Sequence, residues 1–285
     1  MSLFHRDKDE PAPGTGPAGP GVSLEKITTD APGLVSLYKT AALSLEKYHL
    51  ADQRAAVYLV LDHSGSMHRY YQDGSVQRLA EQVLAVSAHL DDDGIVPTLF
   101  FSWKAHPIVE IGLTDYQGRI DREQRACGPF GTTNFAAAIE AVVKHYRKSK
   151  TKAPAFVVFQ TDGEPNSRAA AEKEISNSAK LPIFWQFVGF GQHFEFLREL
   201  DSMPGRKVDN AGFFPVGDDP GGMTDGGLFD RLIDANVSRP CSCTAEPRVR
   251  RRRWPRSTRC PPRFHPARRP GRALRAPGCP SPRWA

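Results

Sequence analysis

The sequence predicts an α/β domain: a mostly parallel six-stranded sheet with helices on both faces and one antiparallel edge strand. Three observations carry that prediction. Short, continuous apolar runs recur at 55–61, 95–101, 155–160 and 183–188, the pattern of strands covered on both faces. Segments with apolar residues at helical spacing lie between most of them, so strands and helices alternate as parallel pairing requires. Residues 102–106 alone separate the second run from a further run at 107–111. That gap is too short for a parallel crossover, so these two strands are expected to pair as an antiparallel hairpin.

Taken in order, residues 1–21 pass from charged residues into Pro, Gly and Ala and read as a disordered leader without the apolar core of a secretory signal. A domain is expected over 22–237. It opens with a helical extension at 33–48, where Leu34, Leu37, Ala41 and Leu45 recur near helical spacing after Asp30 and Pro32. The run at 55–61 leads into the polar loop Asp62-His63-Ser64-Gly65-Ser66. Val76, Leu79, Ala80, Val83, Val86, Ser87 and Leu90 then mark one face of a helix, which Asp91, Asp92, Asp93 and Gly94 end. Residues 114–126 are polar and helical in part. A Gly- and Pro-rich loop at 127–134 precedes an Ala-rich helix at 135–147, and the run at 155–160 passes directly into Thr161-Asp162-Gly163. A helix at 167–179, a strand at 183–188, a short helix near 194–200, a strand near 211–216 and a helical segment at 228–233 complete the domain.

Charge divides the chain. The formal net charge is +6, yet from Arg239 onward there are 14 Arg, no Lys and one acid, Glu246, which leaves 24 basic and 31 acidic residues before it. The domain is therefore mildly acidic and the basicity belongs to the tail. Residues 238–285 show no periodicity and are expected to be an Arg- and Pro-rich disordered tail. Their restricted alphabet is what a GC-rich reading frame yields when translated out of register, so a frameshift or a decayed end is the expected origin. The alternative is a nucleic-acid contact through the Arg run at 250–253 with Trp254, and Arg268 with Arg269. Cys241, Cys243, Cys260, Cys279 and His265 match no usual zinc spacing. Only Cys127 precedes residue 240, which fits a reducing, cytoplasmic compartment, and no run approaches the roughly 18 apolar residues of a membrane span.

Three loops converge on one sheet edge and offer oxygen alone: Asp62, Ser64 and Ser66 after the first strand, Thr133 before a helix, and Asp162 after the fourth strand. Two carboxylates and three hydroxyls suit a hard divalent cation, Mg2+ with Mn2+ or Ca2+ as alternatives, and argue against zinc or copper. Each piece has a plainer reading as a helix cap or a turn. Their joint occurrence at equivalent loop ends favours the metal.

The Asp-x-Ser-x-Ser loop continuing to Met67, the Gly-Thr-Thr-Asn loop and the strand ending in Thr161-Asp162-Gly163 resemble the metal-ion-dependent adhesion site of von Willebrand factor type A (vWA) domains. The resemblance spans about residues 57–233. SLEKITTDAPGLVSLYKTAALSLEKY, GTTNFAAAI and FVVFQTDGEPNS are similar, more particularly, to a bacterial TerF-like branch associated with tellurium resistance and stress response. The resemblance implies a Rossmann-like fold, binding without turnover, and a partner protein whose Asp or Glu carboxylate completes the metal shell. It assigns the Thr role to Thr133, which directly precedes Asn134, with Thr132 as the alternative. Competing classes are a metal-dependent hydrolase, for which Glu164, His63 and His68 are the only nearby bases, and nucleic-acid binding by the tail. His63 and His68 are expected at the surface. Gly189-Phe190-Gly191 reads as a strand-to-helix turn rather than a dinucleotide site. Asp91, Asp92 and Asp93, and Asp218, Asp219 and Asp225, read as solvated loops and caps rather than calcium ligands.

Overall fold

Six strands form one sheet in the order β3-β2-β1-β4-β5-β6: β1 Ala56–Asp62, β2 Ile95–Phe101, β3 Val109–Gly112, β4 Ala155–Thr161, β5 Ile183–Phe190 and β6 Ala211–Gly217. The structure, a computed structural model, describes residues 19–201 and 208–237. The expected tail, with its Arg clusters, cysteines and His265, and nearly all of the expected leader lie outside the described residues. Every strand pair is parallel except β2 with β3, so the short 102–106 connection does make an antiparallel edge. β3 starts slightly later than the apolar run, because the chain is still turning there: Phe101 bridges Ala105, and the His106 N–H donates to the Phe100 carbonyl at 2.9 Å.

The strand runs are apolar throughout because both faces are covered. Successive side chains point to opposite faces. Val57, Leu59 and Leu61 of β1 join Phe156 and Val158 of β4 in one core. It is closed by α1 (Leu24–Asp30), α2 (Val35–Lys47), α4 (Ser75–Leu90) and α9 (Asp225–Val237). Tyr58 and Val60 join Val157 and Phe159 in the opposite core, closed by α6 (Phe135–Ser149), α7 (Arg168–Ser178) and α8 (Glu195–Asp201). Two short helices, α3 (His68–Gln72) and α5 (Arg119–Ala126), lie in the loops after β1 and β3.

The helical extension is part of the first core. Leu37, Tyr38, Ala41 and Leu45 of α2 are buried with residues of α4 and α9. Tyr38 stacks on His89 of α4 with centroids 3.9 Å apart, and Asp230 of α9 accepts Ser44 Oγ at 2.9 Å and pairs with Lys47 at 2.7 Å. The short helix α1 was not legible in the sequence. Its N-cap, Ser23, accepts the Lys26 N–H at 3.2 Å, but seven residues are too few to display periodicity.

β1 lies between β2 and β4. The chain leaving β1 turns one way to form β2 and later returns on the other side as β4, so a crevice opens at the carboxyl ends of β1 and β4, where such sheets bind ligands.

Candidate metal centre

Leu61 of β1 pairs with Gln160 of β4, so the register sets the next two residues, Asp62 and Thr161, side by side at the crevice. Asp62 is fully buried. Its Oδ1 accepts the Ser64 backbone N–H at 2.8 Å, and its Oδ2 accepts the Thr161 hydroxyl at 2.6 Å. Tyr71 fixes the same residue from below by donating to its carbonyl oxygen at 2.8 Å. Burial pushes the Asp62 carboxyl up to about 7, against the opposing bonds from Thr161 and Ser64, and the negative charge of Asp162 adds to the rise.

Beyond Ser64 the chain curls through a single 3-10 turn, Gly65–Met67. The curl brings the Ser66 hydroxyl within 3.3 Å of Ser64 Oγ and lets it donate to Asp162 Oδ1 at 2.8 Å. Asp62, Ser64, Ser66 and Asp162 are thus joined in one chain of contacts. Asp62 and Ser64 are buried, Asp162 is half-buried and Ser66 is exposed, so the cluster faces solvent on one side. Burial also raises the Asp162 carboxyl, with the Ser66 bond opposing it.

Thr133 arrives on a separate loop whose backbone is laced to the first. Gly131 donates its N–H to the His63 carbonyl at 3.0 Å and accepts the Gly65 N–H at 3.0 Å. Asn166, after β4, braces the other side: its Oδ1 accepts the Thr133 N–H at 3.1 Å and its own N–H donates to the Thr133 carbonyl at 2.8 Å. Asn166 Nδ2 also donates to the Thr132 hydroxyl at 2.9 Å. No bond engages the Thr133 hydroxyl among the described residues, which favours Thr133 over Thr132 as the free ligand.

Thr161, Tyr71 and Asn166 brace the site and are given no role in the sequence reading. Thr161 alone had an accessible signal, since parallel in-register pairing of the two strand ends predicts its contact with Asp62. His63 requires a correction: expected at the surface, it is fully buried. Phe130 of the 127–134 loop folds over its ring, stacked at 4.2 Å. Burial and the neighbouring His106 pull its imidazole down to about 4. Its Nε2 lies 3.1 Å from Gln124 Nε2 and its Nδ1 has no hydrogen-bond partner among the described residues. His68 is exposed, as expected.

Glu164 is committed elsewhere. Its carboxylate accepts the Phe196 N–H at 3.0 Å, near the start of α8, and pairs with Arg168 at 3.1 Å. Asp225 accepts Arg78 and Gln82, both at 2.8 Å, Asp218 pairs with Arg69 at 3.5 Å, and Asp93 accepts the Ile95 N–H at 2.8 Å. These acids cap and brace, as the sequence suggested. Gly189 and Gly191 end β5 at the same sheet edge, and Gly191 has a φ of +108° that favours glycine.

No group of three or more His, Cys, Asp or Glu side chains converges among the described residues. A cation here would be held by two carboxylates and by hydroxyl oxygens, with water completing its shell. That donor set fits Mg2+ or Mn2+ and excludes a nitrogen- or sulfur-rich transition-metal site. Both carboxyl groups are raised by burial, and Asp62 also by the charge of Asp162, a further reason for fit, because a cation between them offsets both.

The sheet order, the two strand-end carboxylates and the hydroxyl loop define a Rossmann-like α/β domain of the vWA class. A family model described as vWA found in TerF C terminus matches residues 54–236, and the chain belongs to that family. It is 32% identical over 200 residues to uncharacterized protein YcbR of Bacillus subtilis (strain 168), covering 68% of this chain and 81% of that one. Among solved structures it is similar to manganese-loaded Plasmodium vivax TRAP protein, with 21% identity, 66% of this chain and 73% of that chain covered, and a TM-score of 0.44. It is also similar to proximal thread matrix protein 1 from the mussel byssus with zinc occupied MIDAS motif. That match has 15% identity and a TM-score of 0.42, and covers 65% of this chain and under half of the other, 48%.

Proposed function

We propose that the domain is a metal-dependent protein-binding module that presents a divalent cation, Mg2+ or alternatively Mn2+ or Ca2+, to an Asp or Glu carboxylate of a partner protein. The observation that carries this reading is the contact chain from Asp62 through Ser64 and Ser66 to Asp162, open to solvent and laced through Gly131 to the loop of Thr133, whose hydroxyl is unengaged among the described residues. When bound, the cation supplies a Lewis-acidic point that attracts a carboxylate oxygen. Asp62 and Asp162 would hold it, with Ser64, Ser66 and Thr133 as neutral ligands. Three neutral groups for two acids leave the ion attractive to a further anion, whereas four or five carboxylates would satisfy it.

Binding without turnover is the better reading of the side chains present. Glu164, the base a hydrolytic alternative needs, is spent on the Phe196 N–H and Arg168, and His63 is buried with a depressed imidazole. The family name supports a role in a bacterial tellurite or stress-response system, and the single, half-buried Cys127 among the described residues suits the reducing cytoplasm proposed with it. No helix among the described residues is long and apolar enough to cross a membrane.

Surface plasmon resonance of the full chain over immobilised Asp-containing peptides tests the proposal. Binding should require Mg2+ or Mn2+, vanish with chelator and vanish in Asp162→Ala. Peptide binding that survives both treatments would refute it.

A further inference from the structure

Only three large hydrophobic side chains are exposed among the described residues, Leu24, Leu43 and Trp103, and Trp103 is 60% exposed. Burial of a side chain of this size is favourable, so an indole left in water at the same sheet edge as the candidate site is available to a partner. Trp103 occupies the β2–β3 turn, at the carboxyl end of the strand next to β1. The turn is pinned: Asn134 Nδ2 donates to the Trp103 carbonyl at 3.1 Å, the Asn134 N–H donates to the Ser102 carbonyl at 2.9 Å, and the Ser102 N–H donates to the Lys104 carbonyl at 2.8 Å.

Gly131 connects this turn to the metal loops. A Cβ built there would meet Trp103 Cδ1 and Ser102 Cβ at 2.9 Å, so the indole rests against a backbone that only glycine leaves free. The same Gly131 is bonded through its N–H and carbonyl to the 63–65 segment, so one backbone spacing, about 5 Å, separates the Ser64 loop from the glycine on which the indole rests. An extended chain advances about 3.3 Å per residue, so a residue two or three positions from a metal-bound carboxylate would lie over the indole. The Lys104 Nζ lies 4.8 Å from the centroid of the indole, adding positive charge at the indole and favouring an acidic segment.

We infer that Trp103 reads an apolar side chain two or three residues from the partner's Asp or Glu, making the occupant an extended acidic-apolar segment. This rests on the metal-dependent reading above. A pinned aromatic loses little conformational entropy on contact, the property that makes Trp a frequent binding anchor.

The test uses the full chain at saturating Mn2+, with metal affinity measured in parallel by calorimetry. Three synthetic peptides carry a central Asp flanked by Leu at the second and third positions on either side, the same Asp flanked by Gly, and Asn flanked by Leu. The wild type should bind the Leu-flanked Asp peptide about tenfold tighter than the Gly-flanked one, a difference of about 1.4 kcal/mol. Trp103→Ala should abolish that preference with unchanged metal affinity, and Trp103→Phe should keep part of it. Equal binding of the two Asp peptides by metal-loaded wild type, or a preference that persists in Trp103→Ala, would overturn the inference alone. Absence of metal binding, binding of neither Asp peptide, or equal binding of the Asn peptide, would overturn the metal reading and this inference together.

Discussion

Replacing Asp62 by Asn should stabilise the metal-free protein while destroying its metal site. The carboxyl is fully buried and its folded value stands at about 7 against an ordinary 3.8. That difference corresponds to roughly 4 kcal/mol of destabilisation at neutral pH. The sign follows from proton binding. Between pH 4 and 7 the folded state holds a proton that the unfolded state has released, so metal-free wild type loses stability as pH rises through that window. Asn keeps the acceptor for the Ser64 N–H and offers Nδ2 to Thr161 Oγ1, whose own proton can turn to the Gly163 carbonyl at 3.5 Å. Allowing about 1 kcal/mol for the poorer bond, the net gain is about 3 kcal/mol, or about 6–12 °C in Tm for a domain of this size. Thermal unfolding in chelator at pH 5 and 7 measures it: the wild-type advantage of low pH should shrink in Asp62→Asn. With Mn2+ added, the wild type should gain stability and the variant none. A variant less stable than wild type in chelator at pH 7, or one still stabilised by Mn2+, would refute the reasoning.

Three further outcomes follow from other contacts. Thr133→Val should weaken Mn2+ binding about tenfold or more, whereas Thr132→Val, whose hydroxyl is taken by Asn166, should change it less than twofold in the same calorimetric titration. Burial holds the His89 imidazole below its ordinary range, with Nε2 donating to the Tyr38 carbonyl at 2.9 Å. The unfolded state therefore takes up the proton first as pH falls below about 6.5, and this part of the stability is lost on acidification. His89→Gln keeps a donor without that titration, so urea unfolding should show the stability difference shifting towards the variant between pH 7 and 5. Gly189→Ala would set a Cβ 2.6 Å from the Phe194 ring, and the overpacking should lower the urea-derived stability by about 1–3 kcal/mol.

The sheet was legible because each buried strand is a bounded apolar run, and the hairpin because a short connection permits one pairing direction. The loops of the candidate site were legible because Asp62 and Asp162 directly follow or end such runs, where a parallel sheet gathers its loops. The inner bracing was hidden for a different reason. Tyr71, Asn166, Phe130 and Gln124 act on residues distant in sequence, and their positions follow from loop-to-loop packing that leaves no period or motif. His63 shows the cost: a histidine in a polar loop reads as exposed until Phe130 folds over it. The helical extension was visible as a helix, but its burial against α4 and α9 depends on long-range partners such as His89 and Asp230.

Calorimetric titration of Mn2+ into the full chain, wild type and Asp162→Ala, tests the central claim most directly. The wild type should show saturable binding to one site and Asp162→Ala none, with unchanged secondary structure in both. No binding by the wild type, or binding that Asp162→Ala leaves intact, would contradict it.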